Sequence, residues 1–187
     1  LARGMSNDMQ RRGSNLRAEI IFTRPGSMQL TSSTANLSTK YAELLKRIDG
    51  VEDALPVIVN VLQSNRGFGL ERIEGVDWEP FAKMNGIELI AGRAPQGNHE
   101  VAIDETKARN NKLTVGSELK LFGETLYRVV GIYSPESTAR VKMSLAAMQE
   151  AFQARDKCTY IMVKVRSSSD KGEVAKRIAE QLPGNKI

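Results

Sequence analysis

Hydrophobic positions in the N-terminal third of the chain follow two patterns, one typical of a helix and one typical of strands. Apolar residues recur every three or four positions in residues 36–48, which predicts an amphipathic helix. Residues 16–23 before it and residues 51–61 after it contain β-type runs of apolar residues, which predict strands. Gly50 lies where a residue in the left-handed conformation commonly ends a helix. This part of the chain therefore predicts the order strand, helix, strand.

The same order returns near the C-terminus. Residues 159–165 are a β-type run that predicts a half-buried strand. Ser169 or Asp170 can then cap a helix whose apolar face extends over residues 174–182, and Pro183-Gly184 ends that helix. We expect a further extended piece to follow. Because one strand–helix–strand unit cannot cover its own sheet face, the two units are expected to share one sheet with both helices on the same face.

Short β-type runs separated by glycines fill the middle of the chain. They lie at residues 87–90, 101–103, 118–122 and 126–132. Asp77 can cap a helix that precedes the first of these runs. Residues 63–69 are typical of a hairpin tip, and residues 144–152 predict another short helix.

These elements predict an α+β fold in two parts. A split α/β subdomain is built from both chain ends, residues 15–76 and residues 135–187. A small α/β subdomain rich in short strands, residues 77–134, is inserted between them. Residues 1–14 form a separate N-terminal segment, which is expected to lie close to a membrane. The two ends of the chain are thus predicted to meet in one layer while the middle forms a lobe of its own.

Composition and charge narrow the classes of function. The chain has 187 residues, 41% of them hydrophobic, which fits a globular protein with a core of its own. The net charge of +5 does not indicate nucleic-acid binding, because 27 basic residues are interleaved with 22 acidic ones and aromatic residues make up only 5%. An oligonucleotide-binding β-barrel around residues 118–132 is a further alternative, with Phe122 and Tyr127 as its available stacking residues.

The sequence gives little indication of a catalytic site or a metal-binding site. Its one cysteine, Cys158, and its one histidine, His99, lack the partners that a nucleophile or a zinc site needs. We therefore expect no enzymatic activity, no cofactor and no metal. No apolar run approaches the roughly 20 residues that cross a bilayer. Because the chain begins with Leu1 rather than methionine, we expect it to be an excised piece of a longer protein.

Four glycine-containing or β-type motifs in the middle of the chain follow one another in a characteristic order. They are Ala91-Gly92-Arg93, Glu100-Val101-Ala102-Ile103, Leu113-Thr114-Val115-Gly116 and Tyr127-Arg128-Val129-Val130-Gly131-Ile132. In this order and spacing the chain resembles the periplasmic core domain of MacB-like ABC transporter permeases, a group that includes the lipoprotein-releasing and FtsX-type permeases. Weaker similarity extends over nearly the whole chain. The resemblance implies that the split subdomain is porter-like.

The same resemblance implies a role in transport. Permeases of this family are anchored in the inner membrane, pair with a second permease copy and depend on a cytoplasmic ATP-binding subunit or domain. A periplasmic adaptor protein is often involved, and the substrates are peptides, macrolide-like compounds or lipoproteins. The chain would then be an extracytoplasmic domain that couples ATP hydrolysis to export or extraction by mechanotransmission. The alternative is an extracytoplasmic ligand-binding or sensing module that is not coupled to ATP.

Contacts with a partner are expected on two loops. Arg66 and Phe68 lie in the predicted hairpin tip, and Ser134, Glu136 and Arg140 lie in or beside a connection rich in Ser, Pro and Thr. We select these residues because loops carry many binding residues and because the sequence gives none of the five an evident packing role.

Overall fold

The computed structural model describes residues 18–26, 34–63 and 70–187. Within these residues the chain forms eleven strands and five helices. The strands are β1 (Ile20–Thr23), β2 (Leu37–Ser38), β3 (Val51–Gln63), β4 (Leu70–Val76), β5 (Glu88–Gly92), β6 (Glu100–Asp104), β7 (Glu118–Leu121), β8 (Thr125–Ser134), β9 (Val141–Ser144), β10 (Lys157–Cys158) and β11 (Tyr160–Val165). The helices are α1 (Lys40–Lys46), α2 (Trp78–Asn85), α3 (Glu105–Asn111), α4 (Leu145–Ala151) and α5 (Lys171–Gln181). Residues 1–14, which the sequence sets apart as a segment, lie outside the described residues.

Nine strands of the described chain form one mixed sheet. Their order is β1-β11-β3-β4-β9-β6-β8-β5, and β7 pairs with β8 beside this path. The pairs β4–β9 and β6–β8 are parallel, and the other pairs are antiparallel. Strands β2 and β10 form a separate two-stranded sheet. The predicted α+β class is confirmed, and β7 and β8 belong to this sheet rather than to a β-barrel.

The first and last parts of the chain are neighbours in this sheet. Strand β1 pairs antiparallel with β11, with Ile20 opposite Val163 and Thr23 opposite Tyr160. Thr23 also exchanges two backbone hydrogen bonds with Lys186, at 2.9 Å and 2.7 Å. After the last helix, Lys186 forms an isolated bridge with Thr23 before the chain ends at Ile187. Strand β1 is thus tied by backbone hydrogen bonds both to β11 and to the last residues of the chain.

Strand β3 joins these terminal strands to the rest of the sheet. Its first part pairs with β11 as far as Val57, and its second part pairs with β4 from Ile58 onward. We call β1, β11 and the first part of β3 the chain-end strands, and we call β4 to β9 the inner strands. The division of the chain into residues 15–76 and 135–187 around residues 77–134 stays a prediction.

Helices cover both faces of the sheet. On one face α1, α4 and α5 contribute to a shared core, through Ala42, Leu45, Ala147, Met148, Val174 and Ile178. On the other face Phe81 and Met84 of α2 join a second core. Successive side chains of a strand point to opposite faces of the sheet, so the strands contribute residues to both cores. For example, Ala54 belongs to the first core and Leu55 to the second. The two helices near the chain ends therefore pack in one core, as their sequence pattern predicts.

Helix α1 is shorter than the sequence pattern indicates. The apolar spacing predicts a helix over residues 36–48, whereas the helix begins at Lys40. Leu37 and Ser38 are instead extended, because they pair with Cys158 and Lys157 of β10. Leu37 keeps the helical spacing to later residues but is buried in a two-stranded sheet. Here tertiary pairing overrides a local pattern.

Helix α3 is absent from the sequence-based prediction. Of its residues only Ala108 is buried, so no apolar face repeats along it. Its start is marked by Asp104, whose carboxylate accepts a hydrogen bond from Lys107 N at 2.6 Å. An Asp followed by a polar, glycine-free stretch was the available signal, and it is a weak one.

Gly50 lies at a close contact between the first and last parts of the chain. Its φ is +92°, in the region that glycine adopts without steric cost. A Cβ at this position would lie 2.5 Å from Val174 Cγ2 on α5. The carbonyl of Gly50 accepts a hydrogen bond of 2.8 Å from Arg166 N, directly after β11. Glycine is thus required here both by the backbone and by the packing of α5.

Replacing Gly50 by alanine is expected to lower the free energy of unfolding by about 2–3 kcal/mol. Backbone strain accounts for about 1 kcal/mol of this, and the clash with Val174 for about 1–2 kcal/mol. Gly116→Ala is the matched control, because Gly116 has a φ of +95° but a Cβ added there would have no atom within 4 Å. Urea denaturation of both variants measures the difference. Equal losses for the two would show that the contact with α5 contributes nothing.

Candidate functional site

A fully buried ion pair joins two neighbouring inner strands. Glu74 of β4 and Lys142 of β9 are opposite each other in the parallel register, so their side chains leave the same face of the sheet. Both are 0% exposed, and Lys142 Nζ lies 2.7 Å from Glu74 Oε2. A charged residue is rarely buried without a partner of opposite charge, and here each of the two residues is the partner of the other.

Aromatic rings and two further donors surround this pair. Lys142 Nζ lies 4.7 Å from the ring centroid of Phe81 and 5.6 Å from that of Tyr133, so both rings contribute cation–π attraction. The second carboxylate oxygen, Glu74 Oε1, accepts hydrogen bonds from Thr138 Oγ1 at 3.0 Å and from Arg72 Nε at 3.1 Å. Helix α2 thus covers the lysine, while a loop and β4 itself hold the carboxylate.

The electrostatics of the pair favour the ionised carboxylate. Burial raises the pKa of Glu74. The charges of Lys142 and Arg72 lower this pKa by more than burial raises it, so that its net value is about 2. Burial lowers the pKa of Lys142 below its ordinary value, and the charge of Glu74 offsets part of that shift. Glu74 is therefore a carboxylate at neutral pH, and Lys142, Arg72 and Thr138 stabilise that form by donating hydrogen bonds to it.

The stability of the wild-type chain relative to Glu74→Gln should depend on pH. A carboxyl whose pKa is lower in the folded than in the unfolded state stabilises the fold above its unfolded pKa of 4.5. That contribution is lost as the pH falls toward about 2. We expect the advantage of the wild type to shrink by about 3 kcal/mol between about pH 5 and pH 2. Denaturation at a series of pH values tests this, and a constant difference would contradict it.

A second group of charges lies beside the first. Arg140 Nη1 is 3.6 Å from Asp104 Oδ1, and Arg140 Nη2 is 3.7 Å from Glu136 Oε2. Asp104 is 0% exposed and Glu136 is 7% exposed. The backbone reinforces this arrangement, because Asp104 N donates to Arg140 O at 3.1 Å and Tyr133 Oη donates to Ala139 O at 2.5 Å. The connection between β8 and β9 is therefore packed into the molecule.

A tyrosine from the chain-end strands completes the arrangement. Tyr160 of β11 is buried, and its hydroxyl lies 3.4 Å from both Arg72 Nη2 and Glu74 Oε1. Burial raises the pKa of Tyr160, so the hydroxyl stays protonated. We define the buried charge cluster as three cations and three anions with this tyrosine: Arg72, Arg140, Lys142, Glu74, Asp104, Glu136 and Tyr160. Its formal charges balance.

An open cleft of about 700 Å³ lies next to the buried charge cluster. The ends of β3 and β4, helix α3 and the β7–β8 hairpin form its walls, and leucines alternate there with charged residues. Lys107 and Glu71 form an ion pair on its lining. Arg72 and Arg140 also face the cleft, so they belong both to its surface and to the cluster. Cleft and cluster together are the candidate functional site.

The described residues carry neither a grouped set of metal ligands nor an ionised thiol. Within these residues no three His, Cys, Asp or Glu side chains are grouped so that they could hold a metal ion. Burial raises the pKa of Cys158 to about 12, so this thiol is protonated and a poor nucleophile. In the ranges that the structure covers, every helix is too short or too polar to traverse a bilayer.

The residues selected from the sequence fall in different places. Arg66 and Phe68 lie outside the described residues. Ser134 is half-buried and donates a hydrogen bond of 2.6 Å to Glu105 Oε1. Glu136 and Arg140 belong to the buried charge cluster, so the premise that they lack a packing role is wrong. That these five residues contact a partner stays a prediction.

Sequence reasoning missed the centre of the site. Glu74 and Lys142 are charged residues inside short apolar strands, Ile73 to Val76 and Val141 to Met143. Two opposite charges in such settings are a usable signal, since each needs a buried partner. Pairing them requires the knowledge that β4 lies beside β9, which the sequence order does not reveal.

Comparison with known proteins gives a consistent result. The family model described as MacB-like periplasmic core domain matches residues 1–181. The periplasmic region of MacB from Actinobacillus actinomycetemcomitans has a similar fold, with a TM-score of 0.63 and 19% identity over 87% of this chain and 80% of that chain. No curated protein matches the chain significantly.

Two further solved structures share the fold. One is the extracellular domain of the noncanonic ABC-type transporter YknZ from Gram-positive bacteria, with a TM-score of 0.62 and 16% identity over 87% of this chain and 90% of that chain. The other is a domain of a putative permease from Porphyromonas gingivalis, with a TM-score of 0.57 and 20% identity over 89% of this chain and 83% of that chain.

Proposed function

Because the chain belongs to the family of MacB-like periplasmic core domains, and so is an extracytoplasmic domain of an ABC-type transporter permease, we propose that it couples cytoplasmic ATP hydrolysis to substrate movement. The substrate would be a peptide, a macrolide-like compound or a lipoprotein that is exported or extracted. The domain itself would catalyse no reaction. Its task would be mechanical: motion of the membrane helices is passed to the outer side by mechanotransmission.

The observation that supports this proposal is the pairing of the first described strand, β1, with β11 and with the last residues of the chain. Strand β1 lies beside β11, and Thr23 is hydrogen-bonded to Lys186 in both directions. A lever works only if its attachment points cannot slide relative to each other. Backbone hydrogen bonds across one sheet provide that constraint, since sliding a strand would break its ladder and move its side chains to the wrong face.

The proposal implies a set of partners. ATP would be hydrolysed by a cytoplasmic ATP-binding subunit or domain, and a second permease copy would complete the transporter in the inner membrane. A periplasmic adaptor protein would be a further partner. The domain would be membrane-anchored in the intact permease and would lie on the periplasmic side.

Flexible linkers test the proposal in the intact permease. Gly-Ser segments are inserted at both ends of the domain, and insertions of equal length with a stiff helix-forming sequence serve as the matched control. We expect the flexible insertions to abolish export while ATP hydrolysis continues, and the stiff insertions to retain export. Wild-type export with flexible linkers would overturn the proposal, because a slack connection cannot transmit force.

The alternative, a ligand-binding or sensing module that is not coupled to ATP, has one observation in its favour. The cleft of about 700 Å³ has the size of a small-molecule site. Binding in such a cleft does not need a stiff connection to the membrane. This alternative therefore expects both kinds of linker to leave export unchanged, so the same experiment separates the two functions.

A further inference from the structure

The buried charge cluster spans the boundary between the chain-end strands and the inner strands. Tyr160 is on β11, whereas Glu74, Lys142 and Asp104 are on β4, β9 and β6. Polar contacts of 3.4 Å, 3.1 Å and 2.7 Å run in turn from Tyr160 of β11 to Arg72, from Arg72 to Glu74 and from Glu74 to Lys142. The cluster therefore connects side chains of strands that are not neighbours in the sheet.

Across this boundary the described backbone has a single continuous strand, β3. It changes partner from β11 to β4 between Val57 and Ile58. A long strand can twist or bend at such a point, because each half follows the strand with which it pairs. The backbone ladder alone therefore leaves the angle between the two sets of strands weakly defined. Side-chain contacts that cross the boundary have to define it.

Charged groups define an angle better than apolar ones do. Apolar contacts are non-directional and tolerate a small rotation. In the cluster each ion has a partner of opposite charge, and rotation of β11 away from β4 would pull Tyr160 from Arg72 and Glu74. Buried polar groups fix the register of some other proteins at a cost in stability. The balance of three cations and three anions fits a structural role better than the binding of an ion.

We propose that the buried charge cluster fixes the orientation of the inner strands relative to the chain-end strands, so that the domain moves as one stiff body. This inference rests on the proposed function as far as transport is concerned. The orientation itself is a property of the domain and can be measured without transport. Arg72, Glu74, Lys142 and Tyr160 are then positioning residues, which act through the geometry of the sheet.

The test uses the intact permease with spin labels at two exposed positions, Arg24 beside β1 and Ile90 on β5. The cluster variant is Glu74→Leu with Lys142→Met, which keeps the site filled and removes its central ions. Its matched control is Arg93→Met with Glu100→Leu. This pair joins the residue after β5 to the first residue of β6, with Arg93 Nη1 2.8 Å from Glu100 Oε2, so it does not cross the boundary. Tyr160→Phe is a milder variant, should the double variant fail to fold.

We expect the distance between the labels to broaden or shift in the cluster variant and in Tyr160→Phe, and to stay unchanged in the control. Substrate exported per ATP should fall by about twofold to thirtyfold, the range for residues that couple distant sites. An unchanged distance distribution in a folded cluster variant would overturn the inference. A broadened distribution with wild-type export would support the role in orientation and count against mechanical coupling as the proposed function.

Discussion

Replacing Lys142 by methionine should destabilise the domain by about 3–5 kcal/mol, the cost of leaving one ion of a buried pair without its partner. Glu74 would remain fully buried, with only Arg72, Thr138 and Tyr160 near its carboxylate. Methionine is close to lysine in volume, so the loss arises from charge rather than from a cavity. Urea denaturation of the 187-residue chain measures the effect.

Two controls make this prediction specific. Adding Glu74→Leu to Lys142→Met removes both charges, and we expect it to restore most of the lost stability, because apolar residues can replace a buried ion pair. Lys46→Met removes one partner of a solvent-accessible pair with Asp53, whose side chains are 39% and 35% exposed, and should change stability little. A loss for Lys142→Met as small as that for Lys46→Met, or a double variant less stable than the single one, would contradict the prediction.

Phe22→Ala is expected to cost about 3–5 kcal/mol, the range for removing a buried aromatic side chain. Phe22 is 0% exposed, belongs to the first core and packs on Tyr41 of α1 with a ring separation of 5.4 Å. The strand that carries it, β1, has only four residues. If β1 is an integral part of the fold, this one side chain should matter as much as a residue in the centre of the sheet.

The control for Phe22→Ala is Leu44→Ala on the neighbouring helix. Leu44 is 42% exposed, so its truncation should cost much less. Thermal and urea unfolding, followed by two independent probes, would show whether the domain still unfolds in one step. A small loss for Phe22→Ala would mean that β1 is only loosely attached, and the rigid arrangement of the chain ends would be contradicted.

Local patterns in the sequence were sufficient to predict the main structural features near the two ends of the chain. Gly50 after α1 has the positive φ that a helix-ending glycine predicts, and Asp170 caps α5 by accepting a hydrogen bond from Glu173 N. The similar order of elements at both ends predicts a shared sheet, and β1 and β11 are neighbours in it. The resemblance to MacB-like permeases is confirmed by the family match over residues 1–181. These features depend on neighbouring residues or on a pattern that spans the whole chain.

The sequence could not predict which strands that are distant along the chain pair with each other. The parallel contact between β4 and β9 joins Glu74 to Lys142 across 68 positions. No local sequence pattern shows that β4 lies beside β9, so the sequence does not reveal that these two charges are partners. The connection that contains Glu136 resembles an exposed loop by composition, yet Glu136 is buried and pairs with Arg140. Arg140 in turn pairs with Asp104 of β6, which joins the connection to the inner strands. Helix α3 is missed for a different reason, since it buries almost nothing.

Transmission of force through the domain requires that the chain-end strands and the inner strands move together when the transporter turns over. The most direct measurement is the distance between spin labels at Arg24 and Ile90 in the intact permease, nucleotide-free and trapped with ATP. We predict the same distance in both states, while the distance between Ile90 on the two permease copies changes. A change of the distance within the domain between the two states would contradict this requirement, because the sheet would then bend instead of transmitting force.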